Sequence, residues 1–249
     1  MKQCDKTIKY KQFLITVNNL NSANEILHEV FDEVSYEFET QIKNPVIIDA
    51  GSNIGITSLF FYETYAPIEM ICFEPDPNAY KCLKANMVNN GITNCKLINA
   101  ALTKQERVID FYGDFTQFFS DARGNSIIKD WGIQREYSST IKIKSVRLSD
   151  YIDQNMTYLL KLDIEGAEQQ VLEDLESNNK LALIKEIVME IHQLESMENV
   201  NNLDSILTLL KRNNFKCEYT EKNHELPLDI QQWVKKVTPR FFILRATKL

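Results

Sequence analysis

Pro45-Val-Ile-Ile-Asp-Ala-Gly-Ser-Asn-Ile-Gly55 joins a buried strand to a glycine-bearing turn, and Ile56-Thr-Ser-Leu-Phe-Phe61 then begins a helix. The β-branched run Val46-Ile-Ile reads as a parallel strand covered on both faces, closed by the carboxylate of Asp49. Gly51 and Gly55 lack a Cβ, so the turn can adopt positive φ and a ligand can approach the main chain. The free N–H groups of the helix start then face that ligand. A dinucleotide fingerprint has a glycine where Asn53 stands, and no P-loop Gly-Lys-Ser/Thr is present, so a pyrophosphate is disfavoured.

An Asp-x-Gly-x-Asn-x-Gly turn suits a ligand with an amino-acid end and a nucleoside end, with Asp49 accepting from an ammonium or an ordered water. S-adenosylmethionine is such a ligand. The loop alone leaves open a plain tight turn between strand and helix. Ile68-Glu-Met-Ile-Cys-Phe-Glu-Pro-Asp-Pro77 then reads as the next parallel strand, ending in Glu74, 25 residues after Asp49. An acidic residue at about that distance accepts from the hydroxyls of a ribose, which makes Glu74 the candidate ribose ligand. Pro75 and Pro77 bracket a turn, Asp76 reads as turn chemistry, and Asn78 is expected to cap a helix from Ala79 to Asn90, closed by Gly91.

At 249 residues and 44% hydrophobic content the chain fits one α/β domain over 1–249, with an N-terminal extension over 1–44 and an insertion over 102–150. Met1-Lys-Gln-Cys-Asp5 lacks the apolar core of a signal peptide and no apolar run has membrane-spanning length, so a soluble, cytoplasmic protein is expected, with no membrane partner. Five cysteines lack metal-ligand spacing, and Cys72, Cys82 and Cys95 read as small core residues. A net charge of −7 with scattered Lys and Arg argues against a nucleic-acid partner, as does the lack of an Asn/Asp-Pro-Pro-Tyr motif.

From Val46 onward strands and helices alternate. Asn94 to Ala101, Tyr158 to Asp163 and Glu186 to His192 read as strands three to five. A helix from Leu203 to Arg212 precedes two final strands, Phe215 to Tyr219 and Arg240 to Arg245, expected to pair antiparallel at the sheet edge. The pattern predicts a doubly wound, mainly parallel, seven-stranded sheet of Rossmann-like kind. Before it, Ser22 precedes a helical pattern of Ile26, Leu27, Val30, Phe31 and Val34, which reads as a helix covering one sheet face. Inside the insertion, Arg107 to Tyr112 and Thr140 to Leu148 alternate like strands and flank an aperiodic loop over 113–139. The loop carries Phe115, Phe118, Phe119, Trp131 and Tyr137, and two readings stay open: a lid over a polar substrate such as a sugar, with Ser126 and Trp131 as contacts, or a plain insertion.

Leu160-Lys-Leu-Asp-Ile-Glu-Gly-Ala-Glu168 carries three carboxylates at the end of a central strand, where such sheets bind ligands. Glu168 reads as a helix-dipole or capping residue, whereas Asp163, still on the strand, is not explained that way. Asp49-Ala-Gly-Ser-Asn-Ile-Gly55, Phe73-Glu-Pro-Asp-Pro77, Asn99-Ala-Ala101 and Lys161-Leu-Asp-Ile-Glu-Gly-Ala-Glu168, in this order, resemble the FkbM family of S-adenosylmethionine-dependent methyltransferases. The resemblance covers about Val30 to His192 and implies the class I methyltransferase fold and methylation of a hydroxyl on a sugar or secondary metabolite. By position it places Asp49, Gly51, Asn53 and Gly55 at the methionine end, Glu74 on the ribose, Asn99 and Ala100 near the adenine, and Asp163 beside the methyl. A hydroxyl nucleophile must lose its proton, for which His192 is the first candidate base and Glu165 the second. No metal is expected, although Asp163, Glu190 and His192 carry a suitable donor set; His28 and His224 read as surface residues. A cofactor-binding subunit without turnover and a nicotinamide-dependent oxidoreductase are the alternatives from other classes.

Overall fold

The computed structural model describes residues 6–115, 121–133, 138–154, 156–222 and 239–249. His224, Phe118, Phe119 and Tyr137 lie outside them, as does Met1 to Asp5. The chain opens with an antiparallel hairpin, β1 (Lys6–Tyr10) and β2 (Phe13–Val17), followed by α1 (Leu20–Leu27). The sequence reading had no strands here. Asn19 caps α1, accepting from the N–H groups of Asn21 and Ser22, so the helix starts before Ser22. A short π-helical segment, His28–Asp32, continues it.

The first half of the main sheet is β3 (Val46–Ala50), α2 (Ile56–Tyr65), β4 (Glu69–Phe73), α3 (Pro77–Asn89) and β5 (Cys95–Ile98). The insertion follows as β6 (Ala101–Leu102), β7 (Arg107–Gly113), α4 (Lys129–Gly132) and β8 (Ser139–Val146). The second half is β9 (Tyr158–Leu162), α5 (Glu168–Ser177), β10 (Ile184–Gln193), α6 (Leu203–Arg212), β11 (Phe215–Lys222) and β12 (Arg240–Lys248).

The seven-stranded sheet has the order β11-β12-β10-β9-β3-β4-β5. β12 runs antiparallel to both its neighbours and the other pairs are parallel, so the sheet is mixed and the antiparallel pair sits at one end with β11 outermost. Chain order reverses between β3 and β9, and in such sheets the crevice beyond the carboxyl ends at that reversal holds the ligand. Side chains alternate between two cores: Ile48, Leu160 and Met189 face α5 and α6, whereas Ile47, Leu159 and Val188 face α2, α3 and the hairpin. Both faces are covered, which is why these strands read as continuous apolar runs.

Two differences from the sequence reading shape this half of the molecule. Asp76 rather than Asn78 caps α3, its Oδ1 accepting from the N–H groups of Asn78 and Ala79 at 2.8 and 2.9 Å, and Pro77 fills the first helical position, where no N–H is needed. The expected third strand divides: Cys95–Ile98 stays in the main sheet, and Ala101–Leu102 leaves it to pair with β8 in a separate three-stranded sheet of order β6-β8-β7. The edge of β2 is closed by side chains of α3 and of its C-terminal cap. Asn86 and Asn90, one turn apart, each accept from a β2 N–H and donate to its carbonyl, at Thr16 (2.6 and 3.0 Å) and Leu14 (2.9 and 2.9 Å). An amide is the right shape for this, presenting one acceptor and one donor as a neighbouring strand would.

Candidate functional site

The carboxyl ends of β3, β4, β9 and β10 surround a cleft of about 950 Å³, its open mouth included. Gly51 forms its floor at φ 81°, and a Cβ there would stand 1.8 Å from the carbonyl oxygen of Asp163. Only glycine lets the ends of β3 and β9 approach so closely. Gly55, at φ 90°, serves packing: its Cβ would meet Leu83 of α3 at 2.7 Å. Asn53 follows the same left-handed turn at φ 48°, and its N–H donates to Glu74 Oε2 at 2.7 Å. The N–H of Asp76 donates to Glu74 Oε1 at 2.7 Å. The main chain thus fixes both oxygens of one buried carboxylate at the cleft wall. Burial, with the nearby charge of Asp76, pushes Glu74 up to about 8. Asn99 is exposed and braces this wall, donating to the carbonyls of Glu74 and Pro75 at 2.8 and 3.2 Å, while Ala100, Ala101 and Leu102 line the cleft.

Asp49 is buried behind the turn. Its Oδ2 accepts from Ser58 Oγ at 2.6 Å, Lys161 Nζ lies 3.6 Å from its Oδ1, and that oxygen has no hydrogen-bond partner among the described residues. Burial raises its pKa against the pull of Lys161 and Ser58. Lys161 is 1% exposed, yet carries a charge: burial opposes it, but Asp163 and Asp49 hold the ammonium above its ordinary value. Its Nζ donates to the carbonyl of Gly51 at 2.7 Å, stands 3.3 Å from Asp163 Oδ2, and lies under the Tyr36 ring at 5.1 Å.

The other end of the cleft is assembled from side chains. Tyr36 Oη lies 3.1 Å from both Asp163 Oδ2 and Glu190 Oε2. Glu190 lines the cleft, with Lys222 Nζ at 3.6 Å. Glu165 takes the left-handed conformation at φ 58°, unusual for a side chain of this kind and held by its contacts. Its Oε1 accepts from the N–H of Gly124 at 3.0 Å, its Oε2 from Trp131 Nε1 at 2.7 Å, and its carbonyl from Ser126 Oγ. Ser126 and Trp131 therefore dock the insertion onto the Asp-Ile-Glu-Gly turn. Trp131 is buried against His192 and Phe241 and presents no open stacking face for a sugar, and the half-buried Phe115 packs on Phe111.

His192 is 3% exposed. Its Nδ1 is 3.1 Å from Glu168 Oε1, and its Nε2 is 3.3 Å from Glu165 Oε2 and 3.8 Å from Asp163 Oδ1. Burial opposes its charge, but Glu165 and Glu168 lift it well above its ordinary value. A protonated imidazole with a carboxylate at each nitrogen suits a brace rather than a proton acceptor. Asp163, Glu165 and His192 bring one donor atom each within 4.8 Å of one another, so Glu165 stands where Glu190 was expected, and Glu190 turns toward Tyr36 and Lys222. Glu168 closes the turn as a capping residue, accepting from the N–H groups of Ile164 and Gly166, both at 3.1 Å. His28 is exposed and pairs with Glu33 at 3.3 Å. Tyr36, Lys161 and Lys222 were not read as site residues. Lys161 had a signal, a charge inside the apolar run Tyr158 to Leu162, and Tyr36 had none.

A glycine turn, a backbone-held carboxylate and a small-residue wall at the strand reversal define a Rossmann-like α/β protein with a cleft at the carboxyl ends of its strands. The family description "Methyltransferase FkbM domain" matches residues 49–217, and the chain belongs to that methyltransferase family. It is similar to methyltransferase sdnD of Sordaria araneosa, 26% identical over 198 residues, covering 68% of this chain and 74% of that protein. It is also similar to 31-O-demethyl-FK506 methyltransferase FkbM of Streptomyces tacrolimicus, 26% identical over 223 residues, covering 79% and 83%. Among solved structures, Trm5b of Pyrococcus abyssi superposes with a TM-score of 0.50 at 11% identity, over 99% of this chain and 57% of that one, a likeness of fold. Among the described residues no helix is long and apolar enough to cross a membrane.

Proposed function

We propose that the protein transfers a methyl group from S-adenosylmethionine to a hydroxyl of a small polar acceptor, a sugar or a secondary metabolite. The observation that carries the cofactor half is Glu74, whose two oxygens are each fixed by a main-chain N–H and whose remaining lone pairs suit the two hydroxyls of a ribose. The cradle at Gly51 and the orphaned Oδ1 of Asp49, beside the Lys161 ammonium, fit the amino-acid end, and Ala100 to Leu102 fit a flat base. The bound sulfonium would supply an electrophilic methyl carbon. This chain's residues then hold the acceptor in line and receive its proton, and alignment of that kind is worth about 7–11 kcal/mol. The name of the relative that acts on 31-O-demethyl-FK506 supports oxygen as the methylated atom.

Calorimetric titration with S-adenosylmethionine, S-adenosylhomocysteine and NAD, on the wild type and Glu74→Ala, tests the cofactor half. Micromolar binding of the adenosyl ligands, lost in the variant, is expected; preference for NAD would point to an oxidoreductase. A panel of sugars and hydroxylated metabolites with radiolabelled S-adenosylmethionine tests the acceptor half and separates an enzyme from a binding subunit.

A further inference from the structure

One tyrosine hydroxyl stands between two carboxylates at the acceptor end of the cleft, with 3.1 Å from Tyr36 Oη to Asp163 Oδ2 and 3.1 Å to Glu190 Oε2. A phenol has one proton to donate. Both contacts are hydrogen bonds at the same time only when one of the carboxyls carries a proton and donates it back to the tyrosine oxygen. Three oxygens in a row therefore define a place for one additional proton.

The two carboxyls differ in their claim to it. Asp163 is half-buried, and desolvation would raise it, but Lys161 Nζ at 3.3 Å and His192 Nε2 at 3.8 Å hold it below its ordinary value. Glu190 is faced by Glu29 from the π-helical segment, Tyr36 from the loop after it, Asp163 beyond β9, His192 on its own strand and Lys222 on β11. Burial dominates there and Asp163 and Glu29 add to it, so Glu190 is pushed up to about 7 against the pull of His192 and Lys222. Proton transfer works best when the accepting group's affinity lies near the working pH.

We propose that Glu190 is the catalytic residue that takes the proton of the acceptor hydroxyl, and that Tyr36 is a positioning residue that shares this proton with Asp163. The assignment rests on the methyl-transfer reading above. In the step, the acceptor oxygen bonds to the methyl carbon while the carbon–sulfur bond breaks and leaves its electron pair on sulfur. The hydroxyl proton passes to a Glu190 oxygen, from which it returns to solvent after the products leave. Before the step the row holds one proton and two negative charges; after it, Glu190 donates to Tyr36 and Tyr36 to Asp163, and every contact is a hydrogen bond.

The test is a carboxyl titration by NMR of protein labelled with carboxyl-13C glutamate, from pH 5 to 9, on wild type, Glu190→Gln and Tyr36→Phe, with S-adenosylhomocysteine affinity measured on the same samples. The expected result is a carboxyl with its midpoint near 7 that is missing in Glu190→Gln and moved by about half a unit or more in Tyr36→Phe; comparison with Glu190→Gln separates it from Glu74. With any acceptor that turns over, Glu190→Gln lowers the transfer rate by about 100- to 10,000-fold with adenosyl affinity unchanged. A Glu190 that stays ionised down to pH 5, or a variant that keeps its rate within threefold, overturns the assignment while the methyl-transfer reading stands. A wild-type protein that binds no adenosyl ligand overturns that reading, and the role of Glu190 with it.

Discussion

The two ends of the cleft are built by different means. At the glycine turn the main chain does the holding: Gly51 lets two strands meet, and N–H groups of Asn53 and Asp76 fix Glu74. At the other end, side chains from the N-terminal segment and from β9, β10, β11 and the insertion hold one another through charge. A main-chain site is set by local sequence and tolerates little, whereas a side-chain site depends on distant segments arriving together and titrates with pH.

Gly51→Ala is the sharpest way to break the first kind of end. Its Cβ would overlap the Asp163 carbonyl at 1.8 Å, and main chain, unlike a rotamer, has no other place to go. A loss of more than about 4 kcal/mol is expected by urea unfolding, together with all adenosyl binding. At the charged end, His192→Ala leaves buried Glu168 and its neighbours uncompensated and is expected to remove about 3–5 kcal/mol. Because folding raises the His192 pKa, its stabilising share is complete below its unfolded value near 6.5 and is lost as pH climbs through the raised folded value. Unfolding of wild type and His192→Gln at pH 6 and pH 9 checks this: the gap between them narrows at the higher pH.

Glu74→Gln is expected to weaken S-adenosylhomocysteine binding by about 10- to 100-fold, since two hydroxyl bonds to a charged group are lost. Only the ionised carboxylate accepts from both hydroxyls, and Glu74 sits at about 8, so wild-type affinity rises between pH 6 and 9 and that of the variant stays flat. The smallest effect belongs to neither end. Asn90→Ala removes two partly exposed bonds to Leu14 at the edge of β2 and is expected to cost about 1 kcal/mol with adenosyl affinity unchanged. A large change in affinity there would show that the hairpin reaches the cleft energetically.

The same division explains what the sequence made legible. Val46 to Ala50, Tyr158 to Leu162 and Leu203 to Arg212 announced themselves because a strand buried on both faces and an amphipathic helix each leave a periodic trace. Gly51 and Glu74 were legible from spacing within one βαβ unit. Tyr36 was not, since it reaches Asp163 across 127 residues of sequence with no local pattern to mark it. The cap at Asp76 was misplaced to Asn78 because both residue types cap helices, and only the fixed φ of Pro77 at the first position separates them. The hairpin escaped because its two five-residue strands are short, and what completes β2 is a pair of asparagines 70 and 76 residues away.

Strand β6 is only two residues long, yet it is shared property. Ala101 and Leu102 line the cleft and at the same time pair with Ser145 and Val146 of β8, and the N–H of Thr103 continues that ladder to Val146 at 2.9 Å. The insertion is fastened a second time at Glu165, so it straddles the cleft from the base wall to the acceptor end. Any ligand held against Ala101 and Leu102 is therefore expected to slow amide hydrogen exchange in β8, so that the small sheet reports on the cleft from outside it.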